Sequence, residues 1–316
     1  IIHKSGSSKP NIAKRLSKGW GKVNEVLAIV KEAPLGKWRI KAGLQLRQAL
    51  LINGTLFNSE AWHGITLNQI KAFEKIDEAL IKGLVLGHAK IPLPALYMET
   101  AQLPLRFILA CRRILFLQTI LHREPEELIR KVYEAQKSDP TKGDFCELVI
   151  GDCELIKLQL TEDDIRALSR YELKAEVKKR AREAAMSYLS DIKETKSKMD
   201  GITYSGPFAL QSYMQSELFN EEMASLLLAL RTRTVRGIRT GFGEMFPDKS
   251  CPLEGFSLLD SLCHILACTV LTGAARSSTV HYSHVFSSDL QLQWEATTHY
   301  SQLLEEREAL LEGAAT

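Results

Sequence analysis

Apolar side chains recur at the spacing of an α-helix, and this periodicity restricts the possible fold more than any other feature of the chain. The clearest run consists of Leu16, Trp20, Val23, Leu27 and Val30. These positions stand at i, i+4, i+7, i+11 and i+14, so they lie on one side of a helix and form an apolar stripe. The run predicts an amphipathic helix with its stripe in a core, ending at Pro34-Leu35-Gly36.

Further helices follow from caps and proline positions. A second helix is predicted over 39–56, with Ile40, Leu46 and Leu50 inward and Lys41 and Arg47 outward. Thr66 and Gln69 have the spacing of a capping box and predict the start of another helix. Pro104 is predicted to lie at the start of an apolar helix that runs to Leu121, because proline is tolerated in the first turn of a helix.

The middle of the chain carries one strand-like segment and one long charged helix. Residues 146–150 predict a short strand. Thr161 is a suitable N-cap, and a helix over 162–196 is expected to begin after it. The adjacent Asp163 and Asp164 resemble a metal-binding pair, but acids in a first helical turn more often cap the helix and interact with its dipole. Taken together, the patterns predict an all-α helical bundle.

Length and composition favour a folded protein with a buried core. The chain has 316 residues, of which 45% are hydrophobic and 25% charged. Its most apolar stretch, 107–121, contains Arg112 and Arg113 and is too short to cross a bilayer. We therefore expect no membrane partner and a nuclear or cytoplasmic location.

Positive charge is concentrated near the amino end. Residues 1–59 contain eight lysines and three arginines against Glu25 and Glu32. Lysine and arginine neutralise phosphates, so RNA or DNA is the expected partner, while a solubilising helix face is the alternative. The candidate contacts are Lys14, Arg15, Lys18, Lys22, Lys37, Arg39, Lys41 and Arg47.

A second cationic series lies farther along the chain. It consists of Arg231, Arg233, Arg236 and Arg239, with no acid between them. The planar guanidinium group suits phosphate oxygens, which makes the series a candidate nucleic-acid contact. The alternative is an ordinary helix end, where cations also interact well with the dipole.

One group of cysteine and histidine residues has partial zinc-site spacing. His264 and Cys268 are four residues apart and share a face on a helix, and Cys251 supplies a third candidate ligand. A structural zinc site needs four ligands, and Glu254 stands where another cysteine is expected. The residues therefore predict an incomplete structural zinc site or, alternatively, buried thiols without metal. No phosphate-binding loop, nucleophile elbow or His-Glu-x-x-His helix occurs, so we expect no catalysis.

Several of these segments together resemble the part of non-LTR (LINE-type) retrotransposon reverse transcriptases that follows the palm. The opening Ile-Ile-His-Lys-Ser-Gly-Ser is similar to the segment after the last palm hairpin. Residues 43–51 and 58–62 resemble the thumb, with an arginine-containing helix followed by an Asn-x-Glu-x-Trp element. The remaining similar segments are 103–108, 112–117, 143–145, 151–152 and 251–268.

The resemblance implies a thumb-like bundle over 1–140, a helical linker over 141–240, a degenerate zinc knuckle over 241–270 and a tail with a terminal helix over 271–316. It also implies that the fingers and palm, with their catalytic aspartates, lie upstream of Ile1 and act as partner of this non-catalytic part. The thumb of this family holds the template-primer duplex, which sets the expected function. The alternative function is a helical protein-interaction scaffold derived from a decayed retroelement.

Overall fold

The computed structural model of the chain confirms the all-α class. The residues that it describes are 9–33, 38–62, 65–86, 91–194, 199, 208–232, 234–235, 250–251, 255–259, 280 and 282–314. Within these ranges the chain is predominantly helical, and the only strands, Ser250–Cys251 and Gly255–Leu259, form one antiparallel pair. In the part of the chain that is described, no helix is long and apolar enough to span a membrane.

The longer helices are separated by short turns. They are α1 (Lys9–Glu32), α2 (Arg39–Leu46), α3 (Leu67–Leu84), α4 (Leu93–Thr100), α5 (Leu105–Leu121), α6 (Leu128–Ser138), α7 (Phe145–Leu155), α8 (Glu162–Ala167), α9 (Arg170–Glu194), α10 (Glu221–Arg231) and α11 (Leu290–Ala314). A π-helical turn, Arg47–Ile52, and a short helical turn, Asn53–Thr55, continue α2. Short 3-10 helices occur at Ser59–Ala61, Ser212–Met214 and Tyr282–Phe286.

Two compact units are present. The first comprises the described residues of Ile1–Ala33, Ala42–Ile81 and Thr100–Asp191, and the second those of Pro34–Lys41, Lys82–Glu99 and Ile192–Thr316. The boundary predicted between residues 140 and 141 lies inside the first unit. The thumb, linker and knuckle divisions stay predictions.

The apolar stripe of α1 differs from the one predicted. The buried side chains are Ile12, Val23, Val26 and Val30, whereas Trp20 is 50% exposed. The buried side of α1 includes Gly19, where α1 approaches α3 so closely that an added Cβ would lie 3.0 Å from Ile76 Cδ1. This close approach of α1 to α3 rotates the helix so that the Trp20 ring points outward. The helix itself was predicted correctly, but its inward face was partly wrong.

The first unit has one large apolar core around α5. Phe107, Ile114 and Leu117 on α5 are buried together with Val177 and Ala181 on α9. The predicted bounds of α5 are confirmed, with Pro104 as N-cap and Leu121 as the last helical residue. Because α5 is apolar on most of its circumference, it can contact neighbouring helices on several sides.

The segment predicted as a strand, 146–150, is helical, so that prediction was wrong. Helix α7 begins there because the Asp144 side chain caps it, accepting a hydrogen bond from the Glu147 backbone N–H at 2.8 Å. The second carboxylate oxygen accepts from the Thr141 backbone N–H at 2.6 Å. The contact with Glu147 satisfies a backbone donor that the start of a helix otherwise leaves without a partner, and the contact with Thr141 fixes the turn before it.

Asp144→Ala is expected to lower the free energy of unfolding by about 1–2 kcal/mol, the usual effect of losing a helix cap. Burial opposes ionisation of Asp144, but the backbone hydrogen bonds prevail and hold the pKa of the carboxyl below its usual value. The ionised cap therefore stabilises the fold above the ordinary aspartate pKa, and that contribution is lost as the pH falls through the lowered pKa. Urea unfolding of the wild type and variant at several pH values measures this.

Asp144→Asn is the matched control, because it keeps an acceptor oxygen and is expected to retain part of the stabilisation at neutral pH. A constant difference between the wild type and Asp144→Ala down to strongly acidic pH would contradict the role of the ionised cap.

Two other caps confirm predictions from the sequence. Thr66 and Gln69 exchange reciprocal hydrogen bonds at the start of α3. Thr161 and Asp164 form a complete capping box at α8, so Asp164 caps a helix, as predicted. The single helix predicted over 162–196 is divided, because Leu168 is extended and Ser169 starts α9 by accepting from the Glu172 backbone N–H at 3.2 Å.

Candidate nucleic-acid interface

The candidate interface is built from the basic side of α1, which lies within the first unit. Lys14, Lys18 and Lys22 occur every four residues and therefore form one row along the helix surface. Lys14 and Lys18 are exposed, and Lys22 is partly exposed. Four residues correspond to about 6 Å of helix rise. The row thus places three ammonium groups along a line.

The electrostatic environment differs along this row. Lys22 Nζ lies 2.6 Å from Glu25 Oε2, in a pair that is open to solvent on both sides. Such an exposed pair is worth about 0–1 kcal/mol, so a phosphate can compete for Lys22. Among the described residues, neither Lys14 nor Lys18 has an ion-pair or hydrogen-bond partner. These two lysines are the strongest candidates for phosphate contacts.

Arg15 stands beside the row and is held in place. Its Nη1 donates to the Gly54 carbonyl oxygen at 2.9 Å, and its guanidinium lies 5.6 Å from the centre of the Phe57 ring. Phe57 is 58% exposed, so the ring keeps accessible surface next to the cations. The same turn is anchored by Arg112, which donates to the Leu56 carbonyl oxygen at 2.6 Å. An exposed aromatic ring beside cations is an arrangement on which a nucleic-acid base can stack.

Arg47 was predicted to face outward and contact nucleic acid, and the structure contradicts this orientation. Arg47 is 1% exposed, and it makes a bidentate ion pair with Asp77 at 2.5 and 2.6 Å. Its remaining Nη1 donates to Gln102 Oε1 at 2.7 Å. A guanidinium group enclosed in this way is a structural element of the first unit and does not reach an external phosphate.

Arg231 is likewise buried, within the second unit. It is 3% exposed, and it donates to Glu99 Oε1 at 2.8 Å and to the Val285 carbonyl oxygen at 2.9 Å. The predicted phosphate contact at Arg231 is therefore wrong, because the side chain lies in the core. Its neighbours in the arginine series, Arg233, Arg236 and Arg239, lie outside the described residues.

Arg39 and Lys41 also have contacts in the second unit. Arg39 forms an ion pair with Glu221, which occupies its guanidinium group. Lys41 is exposed, with its Nζ 5.2 Å from the centre of the Trp38 ring. Trp38 is 54% exposed, so this pair resembles the Arg15 and Phe57 arrangement on a smaller scale. The last candidate of this stretch, Lys37, lies outside the described residues.

The predicted zinc site cannot be assembled from the described residues. His264 and Cys268 lie outside them, and for Cys251 only the backbone is described, in the strand pair opposite Gly255. Among the side chains that are described, no group of three or more metal-ligating residues is close enough to hold an ion. The zinc knuckle therefore stays a prediction.

The structure adds one set of exposed cations that the sequence analysis missed. Helix α9 presents Lys174, Lys178, Lys179 and Arg182 to solvent. The sequence does not single out these cations, because acids stand between them and keep the net charge of the helix small. These acids are Glu172, Glu176 and Glu183. Two other cations of α9 already have partners: Arg180 is paired with Glu176 at 2.8 Å, and Arg170 donates to the Leu115 carbonyl oxygen.

Comparison of the chain with protein-family models, with curated proteins and with solved structures found no match.

Proposed function

We propose that this chain binds the phosphate backbone of RNA or DNA through the lysine row of α1. The observation that carries the proposal is the exposure of Lys14 and Lys18 at helical spacing, with no acidic partner among the described residues. Counterion release from the polynucleotide makes such a row favourable for binding without sequence specificity. Arg15 and the exposed Phe57 ring extend the same surface.

The resemblance to non-LTR retrotransposon reverse transcriptases supports a more specific proposal. In this view the chain is the thumb and linker portion, which holds template-primer or element RNA for a polymerase module. The polymerisation chemistry belongs to the palm of that module and not to the residues described above. This proposal agrees with a helical fold and with a cationic α1 near the amino end of the chain.

The test replaces Lys14, Lys18 and Lys22 together by alanine. We expect affinity for an RNA or DNA hairpin to fall about tenfold to hundredfold at moderate ionic strength. The slope of log K against log salt is expected to become shallower by about two. Lys14 and Lys18 each contribute a full phosphate contact, whereas Lys22 contributes less because Glu25 competes for it. Fluorescence anisotropy across a salt series, between about 50 and 200 mM, gives both quantities.

The matched control is Lys174→Ala, Lys178→Ala and Lys179→Ala in one chain. It removes the same charge from exposed positions of α9, so it separates a local contact from the effect of net charge. An equal loss of affinity in both variants would contradict the assignment to α1. Binding by the wild type that does not change with salt would contradict phosphate recognition altogether.

The second candidate function, a protein-interaction scaffold, is favoured by a different surface. On α6 the side chains of Leu128, Ile129 and Val132 are exposed, with Leu128 at 77%. Apolar side chains grouped on one helix are typical of protein-binding surfaces. A partner that stays bound after nuclease treatment, and is released by Leu128→Ser but not by the α1 variant, would favour this function.

A further inference from the structure

A cavity of about 560 Å³ opens in the first unit between α6, α7 and the segment that leads into α8. Its walls are mainly apolar and continue the buried core to the surface. The apolar lining includes Leu117, Val149, Leu158, Leu160 and Ile165. The volume is within the range of cavities that enclose small organic ligands, about 300–1,000 Å³.

Two thiols complete the wall and add no reactive chemistry. Cys146 and Cys153 line the cavity. Burial raises the pKa of both thiols to about 11, so both are protonated at neutral pH. A protonated thiol is a weak nucleophile and a small apolar surface. The thiols therefore favour contact with an apolar group rather than covalent chemistry.

The mouth of the cavity carries one organised polar group. Tyr133 Oη donates to Glu162 Oε1 at 2.7 Å, and Lys137 Nζ lies 2.8 Å from the same oxygen. Burial raises the pKa of Glu162, but the hydrogen bonds from Lys137 and Tyr133 outweigh it and keep the pKa below the usual value. Glu162 is thus a carboxylate at neutral pH.

The second oxygen of this carboxylate remains available. Tyr133 and Lys137 both contact Oε1, and among the described residues no hydrogen bond is donated to Glu162 Oε2. The ammonium group of Lys137 already compensates the charge of Glu162. An uncharged donor therefore suits this acceptor better than a second cation, and an anion would meet repulsion from the carboxylate.

We infer that this cavity binds an uncharged, largely apolar small molecule that carries one N–H or O–H donor, which pairs with Glu162. The apolar body fills the space between Val149, Cys153 and Ile165, and the donor faces the mouth. A site with apolar walls and few polar groups at fixed positions is the usual form of a small-molecule site. The inference is independent of nucleic-acid binding, because the lysine row belongs to α1.

The probe for the test is N-phenyl-1-naphthylamine, an uncharged aromatic molecule with a single N–H donor whose fluorescence increases in apolar surroundings. We expect saturable binding to the full chain with a dissociation constant in the micromolar range. Cys153→Trp fills the cavity and is expected to weaken binding more than tenfold. Glu162→Gln removes the carboxylate and is expected to weaken it severalfold.

Leu128→Trp is the matched control, because it adds the same side chain at an exposed position of α6 outside the cavity. It is expected to bind the probe like the wild type. Should Cys153→Trp fail to fold, as judged by circular dichroism, Ile150→Trp blocks the mouth from a position that is 59% exposed. Absence of saturable binding, or equal binding by the wild type and a folded blocked variant, would overturn the inference.

Discussion

Asp77→Ala is expected to lower the free energy of unfolding by about 3–5 kcal/mol, the range for removing one member of a buried ion pair. The cause is Arg47, which is 1% exposed and has both Nε and Nη2 paired with the Asp77 carboxylate. Without Asp77 the guanidinium group stays buried and loses its bidentate carboxylate partner, and the contact of Nη1 with Gln102 is to a neutral amide. Urea unfolding followed by circular dichroism measures the loss.

The control for this prediction is a double variant, Asp77→Leu with Arg47→Met. Replacing both charges by apolar side chains removes the uncompensated charge, so most of the lost stability is expected to return. Lys75→Ala, at an exposed position of the same helix, is expected to change stability by less than about 0.5 kcal/mol. An effect of Asp77→Ala as small as that of Lys75→Ala would contradict the prediction that the buried ion pair stabilises the fold.

Glu99→Ala is expected to have an effect of similar size, about 3–5 kcal/mol, in the second unit. Glu99 is fully buried, accepts a hydrogen bond from Tyr213 Oη at 3.0 Å and pairs with Arg231 at 2.8 Å. Alanine leaves both a buried cation and a buried hydroxyl group without this acceptor. Thermal unfolding measured by differential scanning calorimetry gives the decrease in Tm and in unfolding enthalpy.

Two further variants make the cause clear. Glu222→Ala removes an exposed carboxylate of α10 and is expected to leave Tm nearly unchanged. Glu99→Leu combined with Arg231→Met removes both buried charges and is expected to recover much of the Tm. An equally low Tm in the single and double variants would indicate that lost packing, rather than an unpaired charge, causes the destabilisation.

These two arginines show why part of the candidate site was predicted wrongly. Arg47 and Arg231 lie in cationic stretches of the sequence, which indicated contact with an anionic partner. Their acidic partners, Asp77 and Glu99, are 30 and 132 residues away in the chain. No local pattern connects residues at such separations, so the sequence reveals a charge but not the carboxylate that neutralises it.

Local signals were more reliable because they depend on neighbouring residues. The caps formed by Thr66 and Thr161 act over three residues, and both occur as predicted. The bounds of α5 follow from Pro104 and from the apolar run that ends at Leu121. The cap at Asp144 also acts over three residues. The strand prediction for 146–150 was wrong because it rested on the apolar residues of this segment and did not consider the cap.

The sequence by itself determined the helical class, several helix ends and the concentration of positive charge on α1. Only the tertiary structure decided which faces are buried, since Gly19 brings α1 against Ile76 and turns Trp20 to solvent. It also separated exposed cations such as Lys14 from enclosed ones such as Arg47. The physical reason is that hydrogen bonds within a helix span a few residues, whereas burial and charge pairing depend on segments distant in the chain.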